Sequence, residues 1–442
     1  VPKMNFKGNL SATNAQSWLK YLPAKYLKPK LDVWLKNDIK HIDRIVAELN
    51  LAGPIADFPF DRVVPGESGQ FEINAHVSGL DLIFAPGWPL ARDIEADLHL
   101  NKRTLTADIV YANLQDIRVD QVNLIVNDLG LHDTLLVHGK IHTVGSKALN
   151  YVRDSPLSKK LPLLKFFTLQ GMLDLDLKLE APLYPENDQI LTQGILTFHD
   201  NPIVINHHLS RFELDKLAGN LAFNQEGVLA SRLTTMIMNS PMAIHIKSMQ
   251  GSKSGTVLGI KGKLSVEQLR TQFGIPALSL MQGTFDLDSK LSITNDPGDL
   301  DHVQIKSSLQ GVEIKMPPPL GKAAEVKSPL TVDLDFNAES SLRLHISYAD
   351  LEVSATKLLN GNWSINVDQP NISGKILYQP VDKQLIAKLT KLYLKKNKIA
   401  SAENQTLFSN LKVSDFPNAE VQIQDFRYGD WNLGAVDCKA IH

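Results

Sequence analysis

The sequence predicts a mainly β protein, built as a long, strongly curved antiparallel sheet with a few short helices. Three observations support this prediction. Apolar and polar residues alternate with a period of two along most of the 442 residues, helical patterns are few, and glycines fall inside the predicted strands. The length allows about three domains or one large all-β body.

The alternation is clearest at 71–77 and 173–179, where every second residue is apolar or small. On a strand this pattern places one apolar face opposite one wet face, which is typical of antiparallel sheets because parallel strands tend to be apolar throughout. Further strands of this kind are predicted at 122–126, 243–246, 285–293, 332–336, 342–346, 363–367 and 421–423.

Helical spacing of apolar residues occurs in only four places. We expect a short helical pair at 13–21 and 27–40, and a third helix at 146–161 that is interrupted at Pro156. The fourth helix is expected at 265–273, with Ser265 as N-cap and Gln268 at the capping-box position.

Four helices are too few to cover the predicted sheet. The remaining residues give about 20 to 24 strands, and a helix covers roughly two strands, so about eight strands would be hidden. Either a second sheet packs on the rest, as in a sandwich, or the sheet curls and leaves an apolar trough for a ligand.

Glycine placement favours strong bending. An apolar-x-Gly-x-apolar pattern recurs, for example at 169–173, 217–221, 281–285 and 372–376. A glycine inside a strand often marks a bulge or a close backbone approach. The alternative is that these glycines only mark the starts of strands that follow a turn.

We divide the chain into three parts on these patterns. Residues 1–145 form an N-terminal β segment with the helical pair near 13–40, and residues 146–170 form a partly helical connection. Residues 171–442 form a C-terminal β segment that continues the first.

Composition and charge exclude several classes of protein. The net charge is -2, which predicts no nucleic-acid partner, and a single Cys438 excludes a disulfide scaffold. The longest run without charged residues, 271–285, is too short and contains Pro276, so no membrane helix is predicted. Because the chain opens at Val1 without a signal peptide, we expect a fragment or a mature piece.

Candidate catalytic groups are weak. Asp-Leu-Asp triplets at 174–176, 286–288 and 333–335 put two carboxylates about 6.5 to 7 Å apart on one face, a spacing also seen in glycosidases. Their recurrence favours the solvated face of amphipathic strands, and no partner for them is evident in the sequence. His138 and His142, four residues apart on a strand, are too distant to chelate one ion. We therefore predict no enzyme activity, no metal and no cofactor.

The period-two geometry assigns the residues opposite the triplet carboxylates, and their equivalents on other strands, to the apolar lining. The predicted lining residues are Phe71, Ile73, Val77, Leu173, Leu175, Leu177, Leu179, Val332, Leu334, Phe336, Leu342, Leu344 and Ile346.

Several stretches together resemble one known family. Residues 18–60 and 68–107, with the distinctive element Ala85-Pro86-Gly87-Trp88-Pro89, are similar to the central region of the AsmA-like YhdP proteins of Gram-negative bacteria. The proline turn and Gly-Lys pair within 309–336, and the Arg-Tyr-Gly and Leu-Gly strand pair at 426–440, resemble the same family in the same order.

The resemblance implies a repeating β-groove, an open U-shaped sheet with an apolar interior that carries phospholipids between the inner and outer membranes. It implies a non-enzymatic role in outer membrane biogenesis and lipid transport in the cell envelope. Family members are anchored in the inner membrane by a helix that this sequence does not contain. We therefore expect a monomeric middle segment in the periplasm, with phospholipid acyl chains as its partners.

Two other readings stay open on the residues alone. Period-two strands describe a closed β-sandwich or solenoid with a scaffold or adhesion role equally well, and a carbohydrate-active enzyme on a β-scaffold is the weaker option. Extraction of purified protein with organic solvent would release phospholipid only from a groove.

Overall fold

The chain is described by a computed structural model in which two compact units, Val1–Leu233 and Thr234–His442, are distinguished. The described residues are 2–17, 29–61, 69–127, 129, 134–183, 190–207, 210–249, 255–273, 276–294, 299–316, 321–337, 342–394 and 418–440. Within them lie 25 strands and four α-helices.

The first unit is a ladder of antiparallel strands. Its strands are β1 Lys3–Thr13, β2 Ile39–Pro54, β3 Gln70–Leu82, β4 Ala91–Asn101, β5 Thr104–Leu114, β6 Ile117–Asn127, β7 Thr134–Val144, β8 Phe167–Leu169, β9 Met172–Pro182, β10 Leu191–His207, β11 Ser210–Asn224 and most of β12 Gly227–Ile237. Consecutive strands pair from β1 to β7, β7 pairs β9, and β10 pairs β8, β9 and β11.

Three helices belong to the first unit. Helix α1 spans Pro29–Asn37 between β1 and β2, and helices α2 Gly145–Arg153 and α3 Leu157–Lys160 lie between β7 and β8. Short 3-10 helices follow β2 at Ile55–Asp57 and α3 at Pro162–Phe166.

The second unit repeats the ladder. Its strands are β13 Ser240–Met249, β14 Gly255–Ser265, β15 Met281–Thr294, β16 Asp301–Ser307, β17 Val312–Ile314, β18 Leu330–Phe336, β19 Leu342–Tyr348, β20 Leu351–Lys357, β21 Trp363–Asp368, β22 Ile372–Gln379, β23 Gln384–Leu394, β24 Asn418–Tyr428 and β25 Trp431–Ala440. Helix α4 Val266–Phe273 and the 3-10 helix Pro276–Leu280 connect β14 to β15.

Pairing in the second unit is antiparallel, with one exception. Strands β13 to β16 and β18 to β23 pair in order, with β16 joined to β18 and β17 paired to the start of β15. Strand β24 is parallel to β23 and antiparallel to β25. Parallel neighbours need a crossover connection in place of a tight turn, and residues 395–417 separate these two strands in the sequence.

The structure confirms the mainly β, antiparallel fold class with few helices. Every strand predicted from alternation is present, and the described residues contain 25 strands where 20 to 24 were expected. The parallel pair β23 and β24 is the one departure from the predicted sheet type.

The helix predictions have mixed outcomes. The interruption at Pro156 and the capping box are confirmed: the backbone N–H of Gln268 donates to Ser265 Oγ at 3.1 Å, and Ser265 N–H donates to Gln268 Oε1 at 2.9 Å. The start of the first predicted helix is wrong, because Thr13 ends β1 and residues 15–17 form a 3-10 turn. Residues 18–21 lie outside the described part. Helix α1 ends at Asn37, three residues before its predicted end, because β2 begins at Ile39.

Two glycines show why strand-interior glycine was a useful signal. Gly374 has φ +152° and lies at the register shift between β22 and β23. Gly283 has φ +116°, and a Cβ there would lie 2.0 Å from the carbonyl oxygen of Gly311. Each position therefore requires glycine, for its backbone conformation and for close approach to the next segment.

Candidate functional site: an apolar sheet face

Strand register extends the alternation of single strands into rows that cross the sheet, because directly opposite residues on neighbouring strands share a face. In the second unit one row crosses twelve strands, from β13 to β25 without β17. Its members are Ile246, Leu258, Leu291, Val303, Leu334, Leu344, Ala355, Ile365, Ile376, Ala387, Val421 and Cys438. We call the side of the strands that carries this row the apolar face.

The neighbouring row points to the other side, and apart from one glycine it is polar throughout. Its members are His245, Gly259, Lys290, Gln304, Asp333, His345, Ser354, Asn366, Lys375, Lys388, Gln422 and Asp437. We call this side the polar face. A single register thus separates apolar from polar residues over all twelve strands.

The first unit has the same arrangement. One apolar row runs from β1 to β9 through Leu10, Ala47, Ala75, Leu98, Ala107, Leu124, Val137 and Leu179. The adjacent polar row runs from β3 to β11 through His76, Asp97, Asp108, Asn123, His138, Lys178, Gln193 and Asn224.

Most side chains of the apolar face are only half-buried. In the twelve-strand row of the second unit, Ala355 and Ala387 are buried, Cys438 is exposed, and the others are intermediate. A closed core buries its central Leu, Ile and Val side chains almost completely. The described part of the chain therefore leaves much of this row open to solvent or to a ligand.

The structure places all thirteen predicted lining residues on the apolar face. Val77 and Leu173 are buried, with 5% and 3% of their surface exposed, and the other eleven are half-buried. The register brings Leu334 opposite Leu344, and Val332 opposite Ile346. Whether these side chains contact acyl chains stays a prediction.

Helices cover part of the apolar face in each unit. In the first unit Trp34 and Leu35 of α1 pack on a cluster that includes Ile42 and Val77, and the Trp34 indole N–H donates to the Ile83 carbonyl at 3.1 Å. In the second unit α4 contributes to a buried cluster that consists of Met242, Leu264, Val266, Phe285, Leu309 and Val312.

The Ala85-Pro86-Gly87-Trp88-Pro89 element contacts the helical segment of the first unit. The Trp88 ring lies 6.0 Å from the Tyr151 ring of α2 and 5.3 Å from Phe84. Gly87 faces Pro156, since a Cβ at this glycine would lie 3.2 Å from Pro156 Cγ. Through these contacts the β3–β4 connection packs against α2 and against the residues between α2 and α3.

Lys322, from the Gly-Lys pair noted in the sequence, has a structural role. Its ammonium donates to the carbonyls of Leu309 and Ala323 at 2.8 and 3.1 Å, and to that of Val312. Burial lowers the pKa of Lys322. Three carbonyl acceptors use all the donors of the ammonium, so this lysine fixes the loop beside β17 and offers nothing to a ligand.

The triplet carboxylates have partners that could not be identified from the sequence. Asp174 bridges His142 and His199 on two neighbouring strands, and hydrogen bonds from His142 and then His199 lower the pKa of Asp174. The other pairings are Asp176 with His138, Asp286 with Ser307 and Ser308, Asp288 with Lys261, Asp333 with Gln304, and Asp335 with His302. These contacts lie on the polar face and tie neighbouring strands together.

Neither a metal centre nor a membrane-spanning helix is found in the part of the chain that the structure describes. No group of three or more His, Cys, Asp or Glu side chains there has a geometry that could hold a metal ion. No described helix combines the length and the apolar character that crossing a bilayer requires.

Comparison with known proteins gives one match. A family model described as YhdP protein matches residues 1–352, which is well over half of the chain. No curated protein and no solved structure matches the sequence.

Proposed function

Because the chain belongs to the YhdP family, we propose that it is a non-enzymatic phospholipid carrier whose apolar face holds acyl chains. Family membership and the extended apolar face fit a lipid-transport role. The finer proposal is that phospholipids move along this face between the inner and outer membranes of a Gram-negative envelope. The protein would then work in the periplasm, with other parts of the full-length protein contacting the membranes.

The observation that carries the proposal is the apolar row of the second unit, which crosses twelve strands without a break and whose side chains are mostly half-buried. Acyl chains have no polar groups to recognise, so a carrier needs a continuous apolar surface that removes about 0.8 kcal/mol per CH₂ from contact with water. The half-buried side chains of this row supply such a surface, and the headgroup can remain in solvent.

The proposal is tested by photo-crosslinking in the full-length protein in cells. A photoreactive residue at Leu175 or Leu334, on the apolar face, is expected to capture phospholipid. The same probe at Asp176 or Asp335, one residue further along the same strands but on the polar face, is the matched control and is expected to capture none. Equal labelling at both faces, or none at either, would contradict a lipid carrier and support a scaffold with a closed core.

A further inference from the structure

The helical segment 145–167 of the first unit is the most basic short stretch of the described chain outside the ladder. It contains five basic residues, Lys147, Arg153, Lys159, Lys160 and Lys165, and one acidic residue, Asp154. The carboxylate of Asp154 is engaged elsewhere, since it accepts a hydrogen bond from Gln115 at 2.9 Å. The segment therefore presents a local positive charge that the carrier function of the apolar face does not require.

A cavity of about 420 Å³ lies within this segment. Its lining residues are Val152, Arg153, Ser158, Leu161, Leu164 and Lys165. The volume falls in the range of small-molecule sites, and the lining combines apolar side chains with a few polar groups, as such sites do. Two of the six lining residues are cationic and none is acidic.

Arg153 is held in place through its Nη2, which leaves Nη1 as the donor group for a ligand. Its Nη2 donates to the carbonyls of Leu164 and Phe167 at 2.8 and 2.6 Å, which fixes the guanidinium against the 3-10 helix. Its Nη1 makes only a 3.5 Å contact to Asn150 Oδ1, and its buried Nε has no acceptor among the described residues. The guanidinium charge, with a donor left on Nη1, is well suited to an oxyanion.

Lys165 supplies the second cation. Its ammonium lies 4.8 Å from the centre of the Phe166 ring, and it forms no ion pair with a described carboxylate. Leu161, which is 46% exposed, borders the same cavity. An apolar surface beside two cations that have no counter-ion among the described residues matches an amphiphile with an anionic head.

We propose that this cavity binds the phosphate group of an anionic phospholipid, with Arg153 and Lys165 as ligands to the phosphate oxygens. This proposal rests on the proposed function, because it places a headgroup site next to the face that would hold the acyl chains: α2 starts directly after β7, which contributes Val137 to that face. Free inorganic phosphate has the same chemistry and is the alternative source of the ligand.

The test is a calorimetric titration of the purified 442-residue chain with dihexanoyl phosphatidylglycerol below its critical micelle concentration. Parallel titrations use dihexanoyl phosphatidylcholine and sodium phosphate. Lys165→Gln removes a cation that lines the cavity, whereas Lys159→Gln removes a cation from the same segment that does not line it.

We expect phosphatidylglycerol to bind more tightly than the other two probes. Lys165→Gln should weaken its binding about tenfold, and Lys159→Gln less than about twofold.

A second variant covers the arginine. Arg153→Lys keeps the charge but loses the planar fork, and its far-ultraviolet circular dichroism reports whether the helical segment stays folded. With the fold intact, weaker phosphatidylglycerol binding is expected. No binding of phosphatidylglycerol, or equal losses in Lys165→Gln and Lys159→Gln, would overturn the site. Sodium phosphate binding as tightly as the lipid would overturn the lipid assignment.

The headgroup site and the carrier function fail separately. If Lys165→Gln has no effect while a probe at Leu334 still captures lipid in cells, the cavity proposal is wrong and the carrier proposal stands. If the probe at Leu334 captures no lipid in cells, the carrier proposal is wrong, whatever the calorimetric result.

Discussion

Two stretches of the second unit carry the same Asp-Leu-Asp triplet and end in different environments. In β15 the triplet 286–288 follows Phe285, which is buried in the cluster beneath α4. In β18 the triplet 333–335 lies in a strand where every residue is half-buried. We call the first the covered region and the second the open region.

The difference teaches that alternation alone does not decide whether a strand helps to form a core. In the covered region α4, the 3-10 helix after it and β17 pack on the apolar side of β14 and β15, and Val312 loses all its exposed surface. In the open region Leu334 and Leu344 face each other across β18 and β19 and remain partly exposed. A groove can thus be stabilised at its covered parts and remain available to a ligand elsewhere.

The largest effect that tests this comparison is a carboxylate placed in each region. Val312→Asp buries a charge without a partner, and we expect it to lower the free energy of unfolding of the second unit by more than about 4 kcal/mol. Leu334→Asp should lower it by only about 1 to 2 kcal/mol, because its carboxylate can reach water. Urea unfolding followed by circular dichroism measures both values.

Val312→Ala and Leu334→Ala serve as controls, since they separate lost apolar contacts from the cost of the charge. Similar losses for Val312→Asp and Leu334→Asp would mean that the open region is a closed core. Such a result would also remove the main support for the carrier proposal.

Whether the strand that carries a triplet is covered or open depends on tertiary contacts. Features that depend on local sequence could be predicted, and features that depend on such contacts could not. Strand positions and the capping box of Ser265 and Gln268 depend on local periodicity or short spacing, and these predictions are confirmed. The lining residues follow from the same periodicity, and their role as a lining stays a prediction. The coverage of Phe285 could not be predicted, because it depends on how α4 and β17 pack.

Partners of polar side chains were missed for a related reason. The pairing of Asp174 with His142 and His199 joins three strands, and strand register between distant segments is not encoded in either segment alone. The carbonyl contacts of Arg153 were missed because a basic residue in a helical pattern looks like any solvated lysine or arginine. The basic bias of 145–167, which the sequence analysis did not use, could have drawn attention to this segment.

A second test compares two glycines with positive φ. Gly283→Ala, in the covered region, forces a Cβ to within 2.0 Å of a backbone oxygen at φ +116°, and we expect a loss of about 3 kcal/mol. Gly361→Ala lies in the β20–β21 turn with nothing within 4 Å of its Cβ, so only the cost of φ +84° applies, about 1 to 2 kcal/mol. Thermal unfolding of both variants checks the difference. Equal losses would show that the close approach of β15 to Gly311 is not rigid.

A smaller effect separates two carboxylates of one triplet. Asp286 accepts hydrogen bonds from the backbone N–H and hydroxyl of Ser308 at 3.2 and 2.7 Å, whereas Asp288 pairs with Lys261 at an exposed position. Asp286→Asn should lower the free energy of unfolding by about 1 kcal/mol, and Asp288→Asn by less than about 0.5 kcal/mol. Equilibrium unfolding at neutral pH measures both.

The same pair predicts a pH dependence. Burial raises the pKa of Asp286, but hydrogen bonds from Ser308 and Ser307 outweigh it, so the pKa in the folded chain lies below its ordinary 3.8. Its contribution to stability is therefore present above that value and is lost as the pH falls through the lower, folded pKa. Asp286→Asn should flatten the acid side of the stability profile. An unchanged profile in that variant would show that other carboxylates dominate acid unfolding.

The smallest expected effect concerns a buried hydroxyl in the helical segment of the first unit. The Tyr151 hydroxyl in α2 is buried, has no hydrogen-bond partner among the described residues, and has a pKa that burial raises to about 12. Removing an unpaired buried hydroxyl costs no hydrogen bond, so Tyr151→Phe should leave the free energy of unfolding within about 0.5 kcal/mol of the parent or raise it.

Tyr393→Phe is the matched control, since the Tyr393 hydroxyl donates to Asp425 and its removal should lower stability. Because burial disfavours the ionised form and raises the folded pKa of Tyr151 above the ordinary 10.0, the unfolded chain ionises first, and the stability present below pH 10 falls as the pH rises toward 12. Tyr151→Phe should therefore lose less stability than the parent between these pH values. A clear loss in Tyr151→Phe at neutral pH would mean that the hydroxyl has a partner after all, and that the helical cover is packed as completely as the core beneath α4.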